Sequence, residues 1–482
     1  MNTAKYSFAG GFKSLNTEYN NVTLTDNKSA KLPQWLNGSL IKVGPAQFTI
    51  GKTQVKHWFD GLAMLYKFEF DNGKVIFSNS FIKSPQYQSH INGQMLYDEF
   101  ATRAPLGFMD RLKNLLGMMA GKKMLNPSCN VNIAKINKTF IAMTELDNSI
   151  IFNPNTLEAY SKITYTDNLD GQMITAHPIY DDQTKELFNV LIYIAPAKVK
   201  YQLYKINTQN SEHKREPVAE FNKPYLFYMH SFFITRNHVI LYNGPLQTTA
   251  TALLNHSFND ALKYNKKHNC EFIIINRHNG TVKTVAVKSF VFLHGINSYE
   301  TENNEVVIDL IVHHNKNNPY NAFYLNKLNQ NTVELTTSIR RYTLDLNTCK
   351  ASCQTILDET VEFPFINQAN QSCEYQYIFA AHRDKNKAGD FLNGLIKVNL
   401  KNPEQNTIWH PPEIYPSEPI FVKNPDTDIE DDGIIMTNIF DDNRQLSQLL
   451  LLDAQSFTEI SRFDLPCHIP FTLHGNFYTN QG

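Results

Sequence analysis

The chain has 482 residues, of which 42% are hydrophobic and 19% charged, enough to bury a large core. Its 45 Lys and Arg nearly balance 46 Asp and Glu, which excludes a strongly charged surface built for nucleic acid. Six scattered cysteines without a CxxC pair exclude a zinc knuckle or a disulfide framework, and no apolar run is long enough to span a bilayer.

The first stretch, MNTAKYSFAGGFKSLN, lacks the apolar core of a signal peptide, so the expectation is a cytoplasmic protein with reduced thiols. From there, short strand-like runs separated by Asn, Gly, Pro and Asp fill almost the whole length. The run MLYKFEFDNGKVIFSNSFI (64–82) is two alternating strands around Asn72-Gly73, a strong hairpin signal. The segment at 105–124, PLGFMDRLKNLLGMMAGKKM, breaks the pattern. It sets Phe108, Leu112, Leu115, Leu116 and Met119 on one helical face, with Asp110, Arg111, Lys113 and Asn114 off it. Two readings stand: a helix packed on the β-core, or a membrane-surface helix, since the segment is net basic and flanked by Lys122 and Lys123.

Further on, LFYMHSFFIT (226–235) reads as a buried strand with His230 in its middle. A weaker helix candidate lies at about 249–265. Hairpin signals then resume, with CEFIIINRHNGTVKTVAV turning at Asn279-Gly280, and continue to QLLLLDAQSFTEISRFDLP. Many short strands with turn residues between them predict an all-β architecture. At this length radial repetition keeps sheet edges shorter than a sandwich would, although no WD or kelch period is present. The acidic stretch DIEDDGIIM (428–436) lacks the register of an EF-hand and reads as a solvated turn before a strand.

Sixteen histidines demand selection. His313 and His314 are adjacent, so on a strand they point to opposite faces and read as structural or surface groups. His213, His238, His256, His268, His278 and His382 sit among turn or charged residues and look solvated. Four others lie at strand ends or turns beside small or apolar residues: His177 in ITAHPIYD, His230 in YMHSFF, His294 in VFLHGIN and His474 in FTLHGNF. Neutral imidazole is the commonest metal ligand, yet any one buried histidine is more often a satisfied core residue. The separations of 53, 64 and 180 residues suit a ring of strands that each send one residue towards a common axis.

These four contexts, in this order, resemble the iron-binding histidines of the carotenoid cleavage oxygenase family. That family includes carotenoid and apocarotenoid dioxygenases, stilbene-cleaving dioxygenases and the retinoid isomerohydrolase. Other stretches are similar too: LNGSLIKVGPAQF (36–48), HWFDGLAMLYKFEFDNGKV (57–75), CNVNIAKINKTFIAMTE (129–145), VEFPFIN (361–367) and YPSEPIFVKNPDTDIEDDGIIMT (415–437). Two departures stand out. Lys42-Val43-Gly44 replaces the usual Arg-Asn-Gly, and Gly295 stands where a second polar or branched residue is common.

The resemblance implies a seven-bladed β-propeller spanning 1–482 as one domain. Its helix/loop cap over the metal face includes about 105–124 and about 249–265. It further implies one non-haem Fe(II) held by His177, His230, His294 and His474, with O2 as co-substrate. Three glutamates match the carboxylates that orient such ligands: Glu145 for His230, Glu362 for His294 and Glu418 for His474, with no such partner for His177. A dication and three carboxylates leave a net charge near −1. Val131 matches a position near an open coordination site, and a plain core valine is the rival reading.

The implied activity is oxidative cleavage of one C=C bond of a carotenoid or apocarotenoid to carbonyl products. The alternatives on the same scaffold are stilbenoid cleavage and retinoid ester isomerohydrolysis. The last is weakened because EFATRAPLGF, ahead of the cap segment, has no cysteine. A propeller serving only as a binding platform would require loss of ligands, and all four are present. The expected partners are an apolar polyene and, through 105–124, the inner face of a membrane. No nucleic acid is expected, and no protein partner is inferable.

Overall fold

The computed structural model describes residues 8–28, 31–95, 98–105, 107–119, 128–195, 198–315, 317–330 and 332–479. Among these, seven antiparallel sheets of four or five strands follow one another along the chain. Asn72 and Gly73, both in the left-handed region (φ 47° and 78°), turn the hairpin between Leu62–Asp71 and Lys74–Phe81. The first sheet is completed by the far end of the chain. Gly475–Thr479 pairs with Gly38–Gln47, so the last strand closes the ring onto the first sheet.

Each pair of consecutive sheets shares its own apolar cluster. Leu40, Met64 and Phe68 of the first sheet pack with Met436, Leu449 and Leu451 of the seventh, which closes the circle of cores. The middle strands are therefore covered on both faces. Gly433–Asp441 is buried throughout, whereas the outer strand Glu216–Lys223 is mostly exposed or half-buried. Continuous apolar runs such as GIIMTNIF follow from that double covering. The fold is the expected seven-bladed all-β propeller.

Four of the innermost strands are interrupted or shifted in register near the centre. Met173–Ile174 and Ile179–Asp181 both pair with Glu186–Ala195, and the residues between them loop out. Ile414–Pro416 and Ile420–Lys423 likewise share Gly433–Asp441. Val291–Glu300 and Val361–Phe365 shift register at Phe292/Gly295 and Glu362/Phe365. Such bulges re-aim side chains that regular pairing would hold flat against the neighbouring sheet.

LFYMHSFFIT departs from expectation. Only Leu226–Phe227 and Phe233–Ile234 are strand, and they belong to different sheets. His230 sits in the break between them. The segment switches sheets there, and its apolar character serves burial in the break as well as in the strands.

Helices Phe108–Met119, Ala250–Asn255 and Phe258–Ala261 fall within the two predicted helical segments. Lys122 and Lys123, and the side chains of Asn114, Leu115 and Met119, lie outside what is described. Among the described residues no helix is long and apolar enough to cross a membrane.

Candidate metal centre

The interrupted inner strands bring His177, His230, His294 and His474 together, with ligand nitrogens all within 4.8 Å of one another. Nε2 of His177 lies 3.0 Å from that of His230, and Nε2 of His294 lies 3.2 Å from that of His474. Local contacts fix each ligand. Thr175 and Asn189 bond across the loop that carries His177. Ser231 clasps two ligand segments, donating to the Leu293 carbonyl at 2.7 Å and accepting from the Gly295 amide at 3.0 Å. A Cβ at Gly295 would stand 2.4 Å from the Phe233 ring, which explains why a larger residue is absent there.

Three of the imidazoles are held from behind. The Nδ1–H groups donate to carboxylates: His230 to Glu145 at 2.6 Å, His294 to Glu362 at 2.5 Å and His474 to Glu418 at 2.7 Å. A carboxylate only accepts, so the proton of each neutral ring sits on Nδ1 and the inward Nε2 carries a lone pair. His294 and His474 therefore face each other lone pair to lone pair at 3.2 Å, a contact that becomes favourable with a cation between them. Burial lowers the pKa of His177, His230 and His474, the last to about 4, which keeps the donors neutral and ready to ligate. Among the described residues no carboxylate lies in ion-pair reach of His177.

The residues thus fit a metal ion, and the charge balance agrees. Lys42 is fully buried, and its ammonium donates to the Glu418 carbonyl at 2.8 Å, 4.0 Å from the Glu418 carboxylate. Three carboxylates and one ammonium leave two negative charges, which one divalent ion neutralises. Lys42 thereby changes the balance that the glutamates alone suggest.

Several participants carried little or no signal in the sequence. His313, read as structural or surface, is buried and donates to the second oxygen of Glu362 at 2.7 Å. Burial alone would raise the Glu362 pKa, but His294 and His313 together hold it far below the usual carboxylate range. Tyr228 donates to Glu145 at 2.6 Å and lies 2.6 Å from the Tyr320 hydroxyl, which in turn donates to it. Tyr228 is two residues before a ligand, a spacing that could have drawn notice; Tyr320 had no local signal. His382 was expected to be solvated, yet it is buried and bonded to Glu359 at 2.6 Å. In the acidic run, Asp431 is buried and paired with Lys397 at 2.6 Å rather than solvated.

A cavity runs up to the imidazoles on one side. Its wall is rich in aromatic side chains, among them Phe59, Phe100, Phe258, Tyr320, Phe363 and Phe391, and His230, His294 and His474 form its floor. Phe363 holds a left-handed backbone (φ 54°) beside the bulge that presents Glu362. Val131 also lines the cavity, and its carbonyl accepts from the His474 amide. A second, more polar cavity meets the opposite side of the cluster at His177, His294 and His474.

A seven-sheet propeller whose inner strands gather four imidazoles beside an apolar cavity defines a class of β-propeller with a candidate metal centre. The chain belongs to the carotenoid oxygenase family described as "Retinal pigment epithelial membrane protein", whose pattern matches residues 12–479. Among similar proteins is the human β,β-carotene 15,15'-dioxygenase, 29% identical over 94% of this chain and 92% of that one. The mitochondrial carotenoid-cleaving dioxygenase of Macaca fascicularis is 27% identical over 92% and 90%. A variant of the Synechocystis apocarotenoid oxygenase shares the fold at a TM-score of 0.86, with 22% identity over 98% of both chains.

Proposed function

We propose that this protein is a non-haem Fe(II) dioxygenase that cleaves one conjugated C=C bond of a carotenoid or apocarotenoid. The alkene and O2 give two carbonyl products, with one oxygen atom in each. The observation that carries this reading is the aromatic cavity whose floor is the imidazole cluster. His177, His230, His294 and His474 would hold the iron, and imidazoles suit that ion. When bound, the iron supplies the redox chemistry with O2. Glu145, Glu362 and Glu418 fix the tautomer and ring orientation of three ligands. The aromatic wall takes up a flat, apolar polyene and excludes water, while Val131 limits the room beside the cluster. The relatives named for carotene and carotenoid cleavage support the same substrate class.

Peripheral attachment to the inner face of a membrane, through the helix Phe108–Met119, would give access to a lipid-soluble substrate. Phe108, Met109 and Leu116 on that helix are exposed, and the described part of the segment is consistent with such a role.

The test is a metal assay joined to a product profile. The purified protein should carry about one iron per chain, and His294→Ala should lose it. Incubation with β-carotene, an apocarotenal and resveratrol under 18O2 should yield labelled carbonyls from a polyene. Cleavage of resveratrol alone, or polyene products that carry no label, would overturn the proposal.

A further inference from the structure

Asp98 and Glu99 line one part of the aromatic cavity, and Asp60 stands near enough for its charge to act on Glu99. Asp60 accepts from the Ala101 amide at 2.9 Å, the His57 amide at 3.1 Å and the Thr102 hydroxyl at 2.5 Å. Asp98 accepts from the Ala104 amide at 2.7 Å and pairs with Arg103 and Arg111. Glu99 lies in the wall of the cavity and is only 8% exposed. Its Oε1 is fully buried and has no hydrogen-bond partner. Nε2 of His90 lies 3.5 Å from it, too long for a good hydrogen bond, and the Nδ1 of that ring is itself without a partner. A buried polar group without a partner is costly and rare.

We propose that Glu99 is a polar anchor in the substrate cavity, donating a hydrogen bond to a hydroxyl or carbonyl oxygen at one end of the polyene. Oxygenated polyenes would then be preferred to hydrocarbon ones. This rests on the reading of the cavity as a polyene site. Burial, with the charges of Asp60 and Asp98 adding to it, raises the Glu99 pKa well above the ordinary carboxylate value. His90 offers no countercharge, since burial lowers its pKa to about 4. A neutral carboxylic acid is a donor, whereas a carboxylate would repel a carbonyl oxygen. A site built to hydrogen-bond an oxygen discriminates against analogues that lack it, because its own polar group is left unpaired.

The experiment measures anaerobic binding of an apocarotenal and of β-carotene, both in detergent micelles, by quenching of tryptophan fluorescence. Trp58 lies in the wall of the same cavity and reports on occupancy. Wild-type protein is expected to bind the apocarotenal more tightly. Glu99→Leu should weaken apocarotenal binding roughly tenfold, the worth of one hydrogen bond, and leave β-carotene within about twofold. Glu99→Gln keeps a donor and should restore most of the preference. Thermal unfolding of both variants separates a folding defect from a binding one. An equal loss for both polyenes, or no loss for either, would overturn the anchor. If the binding pattern holds but neither polyene is cleaved in air, the anchor stands and the proposed reaction falls. Failure of both polyenes to bind wild-type protein would overturn both.

Discussion

The Lys42 ammonium reaches across the ring closure to Glu418, donating to its backbone carbonyl at 2.8 Å and standing 4.0 Å from its carboxylate. Burial lowers the Lys42 pKa to about 8 against the pull of Glu418, so the side chain is charged at neutral pH. Among the described residues it is the only Lys or Arg within 4.0 Å of the carboxylate that orients His474. Lys42→Met should destabilise the metal-free protein by about 2–4 kcal/mol, because the remaining buried carboxylates lose their counterion. Lys42→Arg keeps the charge and should cost less. Urea unfolding with and without added Fe(II) checks the cause. If charge balance is the reason, the metal should narrow the gap between Lys42→Met and wild type; an unchanged gap would mean that packing alone is at stake.

Glu362 serves two imidazoles at once, His294 through Oε2 at 2.5 Å and His313 through Oε1 at 2.7 Å. A glutamine there has one acceptor oxygen, and its amide group would face an N–H of one ring. The amide would favour the His294 tautomer with the proton on Nε2, which cannot ligate. Glu362→Gln should therefore lower metal affinity by about 10–100-fold with little change in fold. Metal content after dialysis against a weak chelator, with circular dichroism alongside, measures both. Full metal retention would remove Glu362 from the ligand-orienting role.

The architecture was readable from the sequence because turn chemistry is local: Asn72-Gly73 and Asn279-Gly280 each mark a hairpin without reference to anything distant. The histidine cluster became readable only through resemblance. Its members meet across separations of up to 180 residues, and no local pattern encodes that approach. The interruption at His230 was hidden because an apolar run looks the same whether it is one strand or two pieces in different sheets. Lys42, Tyr320 and His313 were obscured for a related reason. Their roles come from the partner across the fold, while their neighbours in the chain describe only a strand or a turn.

His57 offers a pH signature separate from the metal centre. Its Nδ1 accepts from the Phe59 amide at 3.1 Å, capping the short helix Trp58–Asp60, and its Nε2 donates to the Tyr320 carbonyl at 2.9 Å. Burial pushes its pKa down to about 4, with the Tyr320 carbonyl and Asp260 opposing. Below its unfolded pKa of about 6.5, the unfolded chain binds a proton that the native ring refuses, so stability falls with pH from about 6.5 towards 4. The contribution is on the order of 1–3 kcal/mol. His57→Asn retains a capping oxygen and should show a shallower loss across that window, by about one proton, than wild type. Unfolding free energies at pH 4.5, 5.5 and 7 give the comparison, and parallel curves would assign the acid sensitivity to other groups.

The helix Phe108–Met119 turns its largest described apolar groups to solvent: Phe108 is 79% exposed, Met109 60% and Leu116 55%. Arg111 ties the other side of the helix to the body, donating to the Ala104 carbonyl at 3.0 Å and pairing with Asp98. A helix anchored by its polar side with three large hydrophobes outward is arranged for an apolar surface, and each such side chain gains about 1.5–3 kcal/mol when fully buried. Replacing Phe108, Met109 and Leu116 together by serine should reduce liposome binding at least tenfold in a flotation assay. Because none of the three lines the aromatic cavity, turnover of a polyene in detergent micelles should hold while turnover from liposomes falls. Undiminished flotation would remove this helix as the attachment site, and an equal loss in both media would place its role in the fold instead.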